Sequence, residues 1–586
     1  MIDLASIYHR TVDNYCYLHN EETLHIRIRT KQGNISEIEL LFGDQYEIVD
    51  YRWKTFRQHM NKTGTDALFD YWQISIRADH KRIRYGFILK NHDQEITFTE
   101  KGFFPCVPED AGLFFCFPYM HKKDLFSPPT WVQKTVWYQI FPERFRNGNA
   151  ELNPEHTLEW GQEEPNLTNF FGGDFQGIID SLDYLQDLGI TGIYLTPIFA
   201  ARSNHKYDTI DYFTIDPQFG DISLLRGLVE ECHNRGIKVM LDAVFNHCSV
   251  EFPPFQDVLK KGENSLYKDW FHIKQFPLKD GNSVNYETFG FYEYMPKLNT
   301  ANEEVKQYLL EAASYWITEC DIDGWRLDVA NEIDHCFWRD FRLTVKTKKP
   351  ELFILGEIWH DSAPWLRGDQ FDSVMNYPFL NKSLQFFAYD MIAAQQFTED
   401  LTAILHCYSD NINHILFNIL GSHDTPRVLN ECQYRKERVR LLFTFLLTFP
   451  GTPCIYYGDE IGLDGGSDPG CRKCMPWQEE KQDLELKNYI KTLISIRKGT
   501  PLLTSYGTLY FLPAVENCFA YYKQKDNQIV LTIINKSDND MHYVLPFSLK
   551  GKKISLLLSK QEYAAESEKL TITLAPYEST ILSFSI

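Results

Sequence analysis

The chain has 586 residues, a formal net charge of −21 at pH 7, 44% hydrophobic and 15% aromatic residues. That length exceeds one ordinary domain and suggests about three or four, and the apolar content excludes a disordered chain. The acidic balance argues against nucleic acid or an anionic membrane surface as partner and suits a neutral substrate.

Residues 1 to about 122 read as β-rich. Leu24-His25-Ile26-Arg27-Ile28-Arg29 and Trp72-Gln73-Ile74-Ser75-Ile76-Arg77 alternate apolar and polar with period two, which predicts a small β-sandwich. Ser127-Pro128-Pro129-Thr130 then reads as a linker. From about 131 the pattern becomes strand, helix, glycine, strand. Val136–Phe141 is a first strand, Ile178, Ile179, Leu182, Leu185 and Leu188 form a helical stripe, Gly189 stops it, and Ile190–Leu195 follows as a strand. A second stripe at Leu224, Leu225, Leu228 and Val229 ends at Gly236, before a strand at Ile237–Asp242. The aromatic stretch from 248 to about 300 interrupts the cycle, as a functional insertion does. A stripe from Val305 to Trp316 and a strand ending at Asp328 restore it. Further strands are expected at Leu352–Ile358, Phe371–Asn376, Ile415–Gly421 and Pro453–Tyr457. Eight strands favour an α/β fold of the closed (β/α)₈ TIM-barrel type over an open sheet. From about 505 the chain is β-rich again, with Ile529–Ile534 and Leu570–Leu574 its clearest strands. The expected domains are therefore 1–122, a barrel at 123–504 with an inserted loop domain at about 248–300, and a C-terminal antiparallel β-domain at 505–586.

The chain opens Met1-Ile2-Asp3-Leu4-Ala5, without the basic and apolar regions of a signal peptide. Thirteen unevenly spaced cysteines are then expected as free thiols in a cytoplasmic protein. The Cys471-x-x-Cys474 pair lacks the second pair that zinc needs. The longest apolar stretch, near 441–449, is too short to span a bilayer.

Three carboxylates stand where an apolar run gives way to a polar loop: Asp328 in Gly324-Trp325-Arg326-Leu327-Asp328, Glu357 in Gly356-Glu357-Ile358-Trp359, and Asp424 in Gly421-Ser422-His423-Asp424. A (β/α)₈ barrel does its chemistry at such strand ends. Cleaving an acetal needs an acid for the leaving oxygen and a carboxylate for the oxocarbenium-like centre, so these acids point to glycosidic-bond cleavage. Together with Asp242-Ala243-Val244-Phe245-Asn246-His247, Gly192–Phe199, Met295-Pro296-Lys297-Leu298-Asn299 and Gly458-Asp459-Glu460-Ile461-Gly462, they resemble the signature segments of the α-amylase family of glycoside hydrolases over roughly residues 131 to 500. The β-rich N-terminal segment, Val329-Ala330-Asn331-Glu332 and Met295-Pro296-Lys297 resemble its neopullulanase, cyclomaltodextrinase and maltogenic amylase subgroup.

The resemblance implies a retaining α-glucan hydrolase for cyclodextrins, pullulan and maltooligosaccharides. It makes Asp328 the nucleophile, Glu357 the general acid/base and Asp424 the transition-state stabiliser, with Asp242 supporting the site. Arg326, two residues before Asp328 and on the same strand face, would hold Asp328 ionised. By the same resemblance His247 and His423 bind the sugar at the scissile bond and Tyr207 stacks beneath it. Glu332 lies near the acceptor sugar, and Asp468 with Arg472 bind the non-reducing side. Phe289 and Trp359 are either downstream sugar platforms or core. A structural Ca²⁺ is implied at Asn147, Asn149, Asn153, Gly172 and Asp174. Here Asn149 and Asn153 replace the usual Asp and Leu152 offers no side-chain oxygen, which weakens binding; an ordinary Asn-Gly turn is the alternative. The subgroup also implies a homodimer through the N-terminal domain, which is carbohydrate-binding-like. Tyr51, Trp53 and Phe56 would suit an exposed contact surface, and core packing accounts for them equally well. A glucanotransferase, or a non-catalytic carbohydrate-binding barrel, are the rival functions.

Overall fold

The computed structural model describes every residue except Asp79 and Asn282. It divides into two compact units. One comprises Pro128–Tyr389 and Ile415–Thr504; the other comprises Met1–Ser127, Asp390–His414 and Ser505–Ile586.

The first unit is the barrel. Its strands are Trp137–Ile140, Gly192–Leu195, Lys238–Ala243, Gly324–Leu327, Phe353–Gly356, Ser373–Val374, Phe417–Ile419 and Thr452–Tyr456. The first to the sixth pair in parallel in sequence order, as do the seventh and eighth, and the eighth pairs with the first. The ring closes where Met375 bridges Phe417 in parallel and the Asn376 N–H donates to the Phe417 carbonyl at 2.9 Å. Almost every strand residue is buried, which is why these runs are continuously apolar rather than alternating. All eight predicted strands are present: most are shortened by a residue or two at their ends, and the third and eighth are shifted by one residue. The first predicted helical stripe is split into Phe175–Ile179 and Leu182–Leu188, because Ser181 between them leaves helical geometry (ψ 2°). Gly189 ends the second piece at φ 99°, a left-handed position that suits glycine.

The insertion carries a helix, Pro253–Lys261, and a two-stranded pair, Lys279–Asp280 with Ser283–Val284. Isolated antiparallel bridges tie it down, His247 to Lys297 and Thr288 to Pro296 among them. Among the described residues no helix is long and apolar enough to cross a membrane, and all thirteen cysteines are free.

At the opposite end of the barrel from the predicted acids, Asp323 enters the fourth strand almost fully buried. It accepts from His233 Nε2 at 2.6 Å, Lys238 Nζ at 2.9 Å, the Val239 N–H at 3.0 Å and Lys349 Nζ at 3.1 Å. Burial pushes this carboxyl up, but the His233 hydrogen bond, the Lys349 charge and the Val239 N–H outweigh it and hold it well below the ordinary range. A depressed folded value stabilises above the unfolded one, about 3.9 for Asp, and that stability is lost as pH falls through the folded value. Asp323→Asn is therefore expected to cost about 3–5 kcal/mol near neutrality and progressively less below about pH 4, read as the gap in Tm from wild type across pH.

The second unit holds two antiparallel assemblies. In the N-terminal segment a four-stranded sheet that includes Thr23–Lys31 and Phe69–Arg77 lies beside a sheet built on Glu37–Gly43 and Ile83–Lys90. Leu24, Ile26, Ile28, Ile38, Leu40, Phe87 and Leu89 share one core, the sandwich predicted from the period-two pattern. The C-terminal segment forms a six-stranded antiparallel sheet including Gln528–Asn535, with a two-stranded pair, Met541–Val544 and Thr571–Leu574.

The continuous barrel segment expected at 123–504 is interrupted. Asp390–His414, with its helix Ala394–Cys407, groups with the terminal segments. Phe397 meets Phe519 edge-on at 5.2 Å, His406 stacks on Tyr71 at 4.1 Å, and Arg27 Nη1 donates to the Tyr408 carbonyl at 3.1 Å. The three aromatics singled out as surface candidates differ. Tyr51 is fully exposed and Phe56 half exposed, whereas Trp53 donates to the Asp44 carbonyl at 3.0 Å and packs on Phe114.

Candidate active site

Strand register brings the first two acids together. The fourth strand lies between the third and fifth, and its pairing runs on past its end. The Asp328 N–H donates to the Ala243 carbonyl at 3.1 Å, and the Glu357 N–H to the Leu327 carbonyl at 2.9 Å. Arg326 and Asp328, two apart, share the inward face. The Arg326 guanidinium is wholly buried. Its Nη1 donates to Asp328 Oδ1 at 2.8 Å and to both Asp242 oxygens at 3.0 Å. Its Nη2 lies 2.7 Å from Glu357 Oε2, close enough for an ion pair although not aligned as a hydrogen bond.

Arg326 thus pairs with Asp328 as expected, but it is divided among three carboxylates. Burial pushes Asp328 well above the ordinary carboxylate range; Arg326 opposes this, and the Glu357 and Asp242 charges add to it. Burial likewise raises Asp242, to about 6, against the pull of Arg326. One guanidinium among three buried carboxylates leaves an excess of negative charge, which a shared proton relieves.

A cavity of about 360 Å³ opens over this cluster, with Asp328, Glu357 and Asp424 in its lining. Tyr207, His247, Phe289, Trp359, Asp468 and Arg472 line it too, so nine of the twelve expected catalytic and substrate-contacting residues share one wall system. The His247 ring stacks on Phe289 at 4.7 Å. Burial and the Lys297 charge lower His247 to about 3, and its Nε2 is buried without a partner. Arg472 bridges Asp424 Oδ1 at 3.3 Å and Asp468 Oδ1 at 3.0 Å. Trp359, half exposed, donates to Glu357 Oε1 at 3.2 Å and stacks on Tyr377 at 3.6 Å.

Of the other three residues, Arg326 lies beneath the cavity floor, bonded to Asp328, and His423 is packed against Tyr207, the rings 5.3 Å apart and parallel. Glu332 is outside the lining, where Lys297 holds its Oε2 at 3.2 Å. Leu167, His205, Tyr292 and Tyr294 line the cavity without having been singled out from the sequence. Tyr377 and Gln139 also touch the site unforeseen, although both sit at or just beyond a strand end, where a residue of a barrel is worth scrutiny.

The expected calcium residues do gather, but as a hydrogen-bonded knot. Asp174 is buried, and its carboxylate accepts from the N–H groups of Gly148 at 3.1 Å, Asn149 at 2.7 Å and Gly177 at 2.6 Å, the last as the cap of helix Phe175–Ile179. Asn149 Oδ1 accepts the Glu151 N–H at 3.1 Å. Asn147 Nδ2 donates to Asn153 Oδ1 at 2.9 Å and to the Phe171 carbonyl at 3.3 Å. Gly172, at φ 81°, sits so close that a Cβ would lie 2.2 Å from Asn153 Oδ1. Calcium needs six to eight oxygens turned towards one point. Here the one carboxylate accepts from three N–H groups and the Asn147 amide faces the Asn153 side-chain oxygen and the Phe171 carbonyl, so a calcium ion would have to take these oxygens from their present partners. If the implied ion binds, millimolar calcium should raise Tm by several degrees and EDTA should reverse the rise; a Tm that responds to neither would leave these residues as a hydrogen-bonded turn.

Comparison with known proteins agrees with this geometry. Residues 139–498 match the alpha amylase catalytic domain, 1–121 the alpha amylase N-terminal ig-like domain, and 509–581 the maltogenic amylase C-terminal domain. A cyclomaltodextrinase of Geobacillus thermopakistaniensis (strain MAS1) is 55% identical over 575 residues, covering 98% of each chain. An intracellular maltogenic amylase of Bacillus subtilis is 46% identical over 549 residues, 93% of each. A solved cyclomaltodextrinase structure superposes with a TM-score of 0.94 at 45% identity, covering 99% of this chain and all of that one. With these matches, a closed eight-stranded barrel and three acids converging on one cavity, the chain belongs to the alpha-amylase family of hydrolases.

Proposed function

We propose that the protein is a retaining hydrolase of α-1,4-glucosidic bonds in cyclodextrins, pullulan and maltooligosaccharides, and of α-1,6 bonds in pullulan. The observation that carries this reading is the state of Asp328. Arg326 holds Oδ1, while Oδ2 is buried with no partner beside the cavity, the arrangement of a nucleophile awaiting a substrate atom. In the first step Oδ2 attacks the anomeric carbon as the bond to the leaving oxygen breaks, and Glu357 gives that oxygen its proton. In the second, Glu357 takes a proton from water, whose oxygen displaces Asp328. Asp424, held by Arg472, stabilises the oxocarbenium-like centre. The unpartnered Nε2 of His247 and the Tyr207–His423 stack receive the sugar at the cleaved bond. Phe289 and Trp359 are apolar faces on the leaving side, Asp468 and Arg472 hold the non-reducing side, and Glu332 meets the acceptor.

The test is product identification after incubation with β-cyclodextrin and with pullulan. Short linear oligosaccharides released as the α-anomer are expected. Initial β-anomer would overturn the retaining assignment, and a dominance of lengthened products would make the protein a glucanotransferase.

We further propose that two copies associate through the N-terminal segment. Tyr46, Ile48, Val49 and Tyr51 stand exposed on and beside the hairpin Ile48–Val49/Arg52–Trp53, an apolar patch that a second copy would cover. Ile48→Lys with Tyr51→Lys should give a monomer by sedimentation; an unchanged dimer would reject the surface. A cytoplasmic location is part of the same reading, supported by the free cysteines.

A further inference from the structure

We propose that Gln139 is a positioning residue for the reaction, whose side-chain amide donates to Nδ1 of His423 and so fixes that imidazole as the tautomer carrying its proton on Nε2. Its consequence for catalysis rests on the hydrolase reading above; its geometry does not.

Gln139 lies on the first barrel strand and His423 beyond the seventh, 284 positions apart, each 1% exposed, with Gln139 Nε2 2.7 Å from His423 Nδ1. Neither the amide orientation nor the ring proton is self-evident from heavy atoms; the surrounding proton inventory decides both. Asp242, as a carboxylate, only accepts. It receives the Tyr194 hydroxyl at 2.6 Å, the Tyr207 hydroxyl at 3.0 Å and Arg326. The single Tyr207 proton is therefore committed to Asp242. Arg326 Nη1 also approaches the Tyr207 oxygen at 3.5 Å, as a donor. Where that oxygen meets His423 Nε2 it must accept, so Nε2 carries hydrogen. A neutral imidazole has one N–H, which leaves the lone pair on Nδ1 facing the Gln139 amide N–H.

A second proton would place N–H against N–H in a buried site. Burial and the charges of Arg472 and Arg326 also hold His423 well below its ordinary range, opposed by Glu357. The remaining neighbours agree. Asp424 Oδ2 lies 3.2 Å from Nε2, able to share its hydrogen. Cys471 Sγ and Arg472 Nε both bond the His423 carbonyl rather than the ring. The adjacent His205, lowered to about 3 by burial and by Arg472, brings no cation. The Nε2–H thus points between the Tyr207 oxygen and Asp424, orienting the sugar-stacking ring and the stabilising carboxylate at once.

The test reads His423 in the free protein. Histidine is labelled with ¹⁵N and the His423 ring is assigned by comparison with His423→Gln. Wild type should show the neutral Nε2–H form at pH 7–8, where Asp242 is a carboxylate. Gln139→Glu puts an acceptor against Nδ1. It should protonate His423 near neutrality and add that titration to the pH profile of kcat. Gln139→Met removes the donor at similar length; kcat should fall by about 10-fold or more, by analogy with other outer-shell hydrogen bonds, with KM changing less. An Nδ1–H or cationic ring in wild type would overturn the proposal. So would a Gln139→Glu protein with the wild-type His423 spectrum and pH profile. Should neither variant fold, the wild-type spectrum alone decides. A correct tautomer in a protein that fails to cleave β-cyclodextrin would instead condemn the hydrolase reading.

Discussion

Asp328→Asn is expected to give a folded protein whose kcat on β-cyclodextrin has fallen by at least about 10⁴-fold, roughly 5.4 kcal/mol of barrier. The substitution keeps the side-chain volume, and Arg326 retains Asp242 and Glu357 as partners, so the barrel should keep its Tm. What is lost is the free carboxylate oxygen proposed to attack the anomeric carbon. Steady-state kcat with Tm as control is the measurement; a variant keeping a tenth of wild-type kcat would remove Asp328 from the nucleophile's role. The wild type carries a linked expectation. Asp328 and Asp242 are both pushed up by burial, Asp242 to about 6. As pH falls the cluster gains a proton, and once it rests on Asp328 the ionised nucleophile disappears. The acid limb of kcat/KM should therefore lie above about pH 4, where an exposed carboxylate titrates. Asp242→Asn removes one of the repelling charges and should move that limb to lower pH.

Strand ends were legible in the sequence because an apolar run turning polar at a glycine or an acid is a local signal. Asp328, Glu357 and Asp424 could thus be placed on the barrel's working face before their neighbours were known. Who meets whom across the ring was not legible. The stack of His247 on Phe289 depends on how a 50-residue insertion is bridged back to the barrel. The sharing of Arg326 among Asp242, Asp328 and Glu357 depends on register among three strands, and burial then changes what that sharing does to the charges. Gln139 is an unremarkable amide in an apolar run until the closing of the ring brings the seventh strand end against it. The residues expected to hold calcium show the same limit. The sequence shows which side chains carry oxygens, but not that Asp174 would cap a helix and spend its oxygens on three N–H groups. Nor does the helix Ala394–Cys407 advertise that its aromatic and carbonyl partners are Phe519, Tyr71 and Arg27 rather than barrel residues.

Glu357→Gln should separate acid catalysis from the rest of the machinery. The amide keeps the length of the side chain, and its single oxygen can keep one of the two N–H contacts, that with Trp359 Nε1 at 3.2 Å or that with the Val329 N–H at 3.1 Å. It cannot deliver a proton. A sugar leaving group departs as an alkoxide unless protonated, so on β-cyclodextrin kcat/KM should fall by about 10³-fold or more, within or beyond the usual 10²–10⁴-fold contribution of general acid–base catalysis. An aryl maltoside with an acidic phenol needs far less help. Its first step should lose little, and a burst of phenol should then precede a slow steady state, because the same residue must deprotonate water in the second step. Added azide, a nucleophile that needs no deprotonation, should speed that second step and restore turnover on the aryl substrate but not on cyclodextrin. Equal losses on the two substrates, with no burst and no response to azide, would mean that Glu357 only shapes the cavity and that the proton comes from elsewhere.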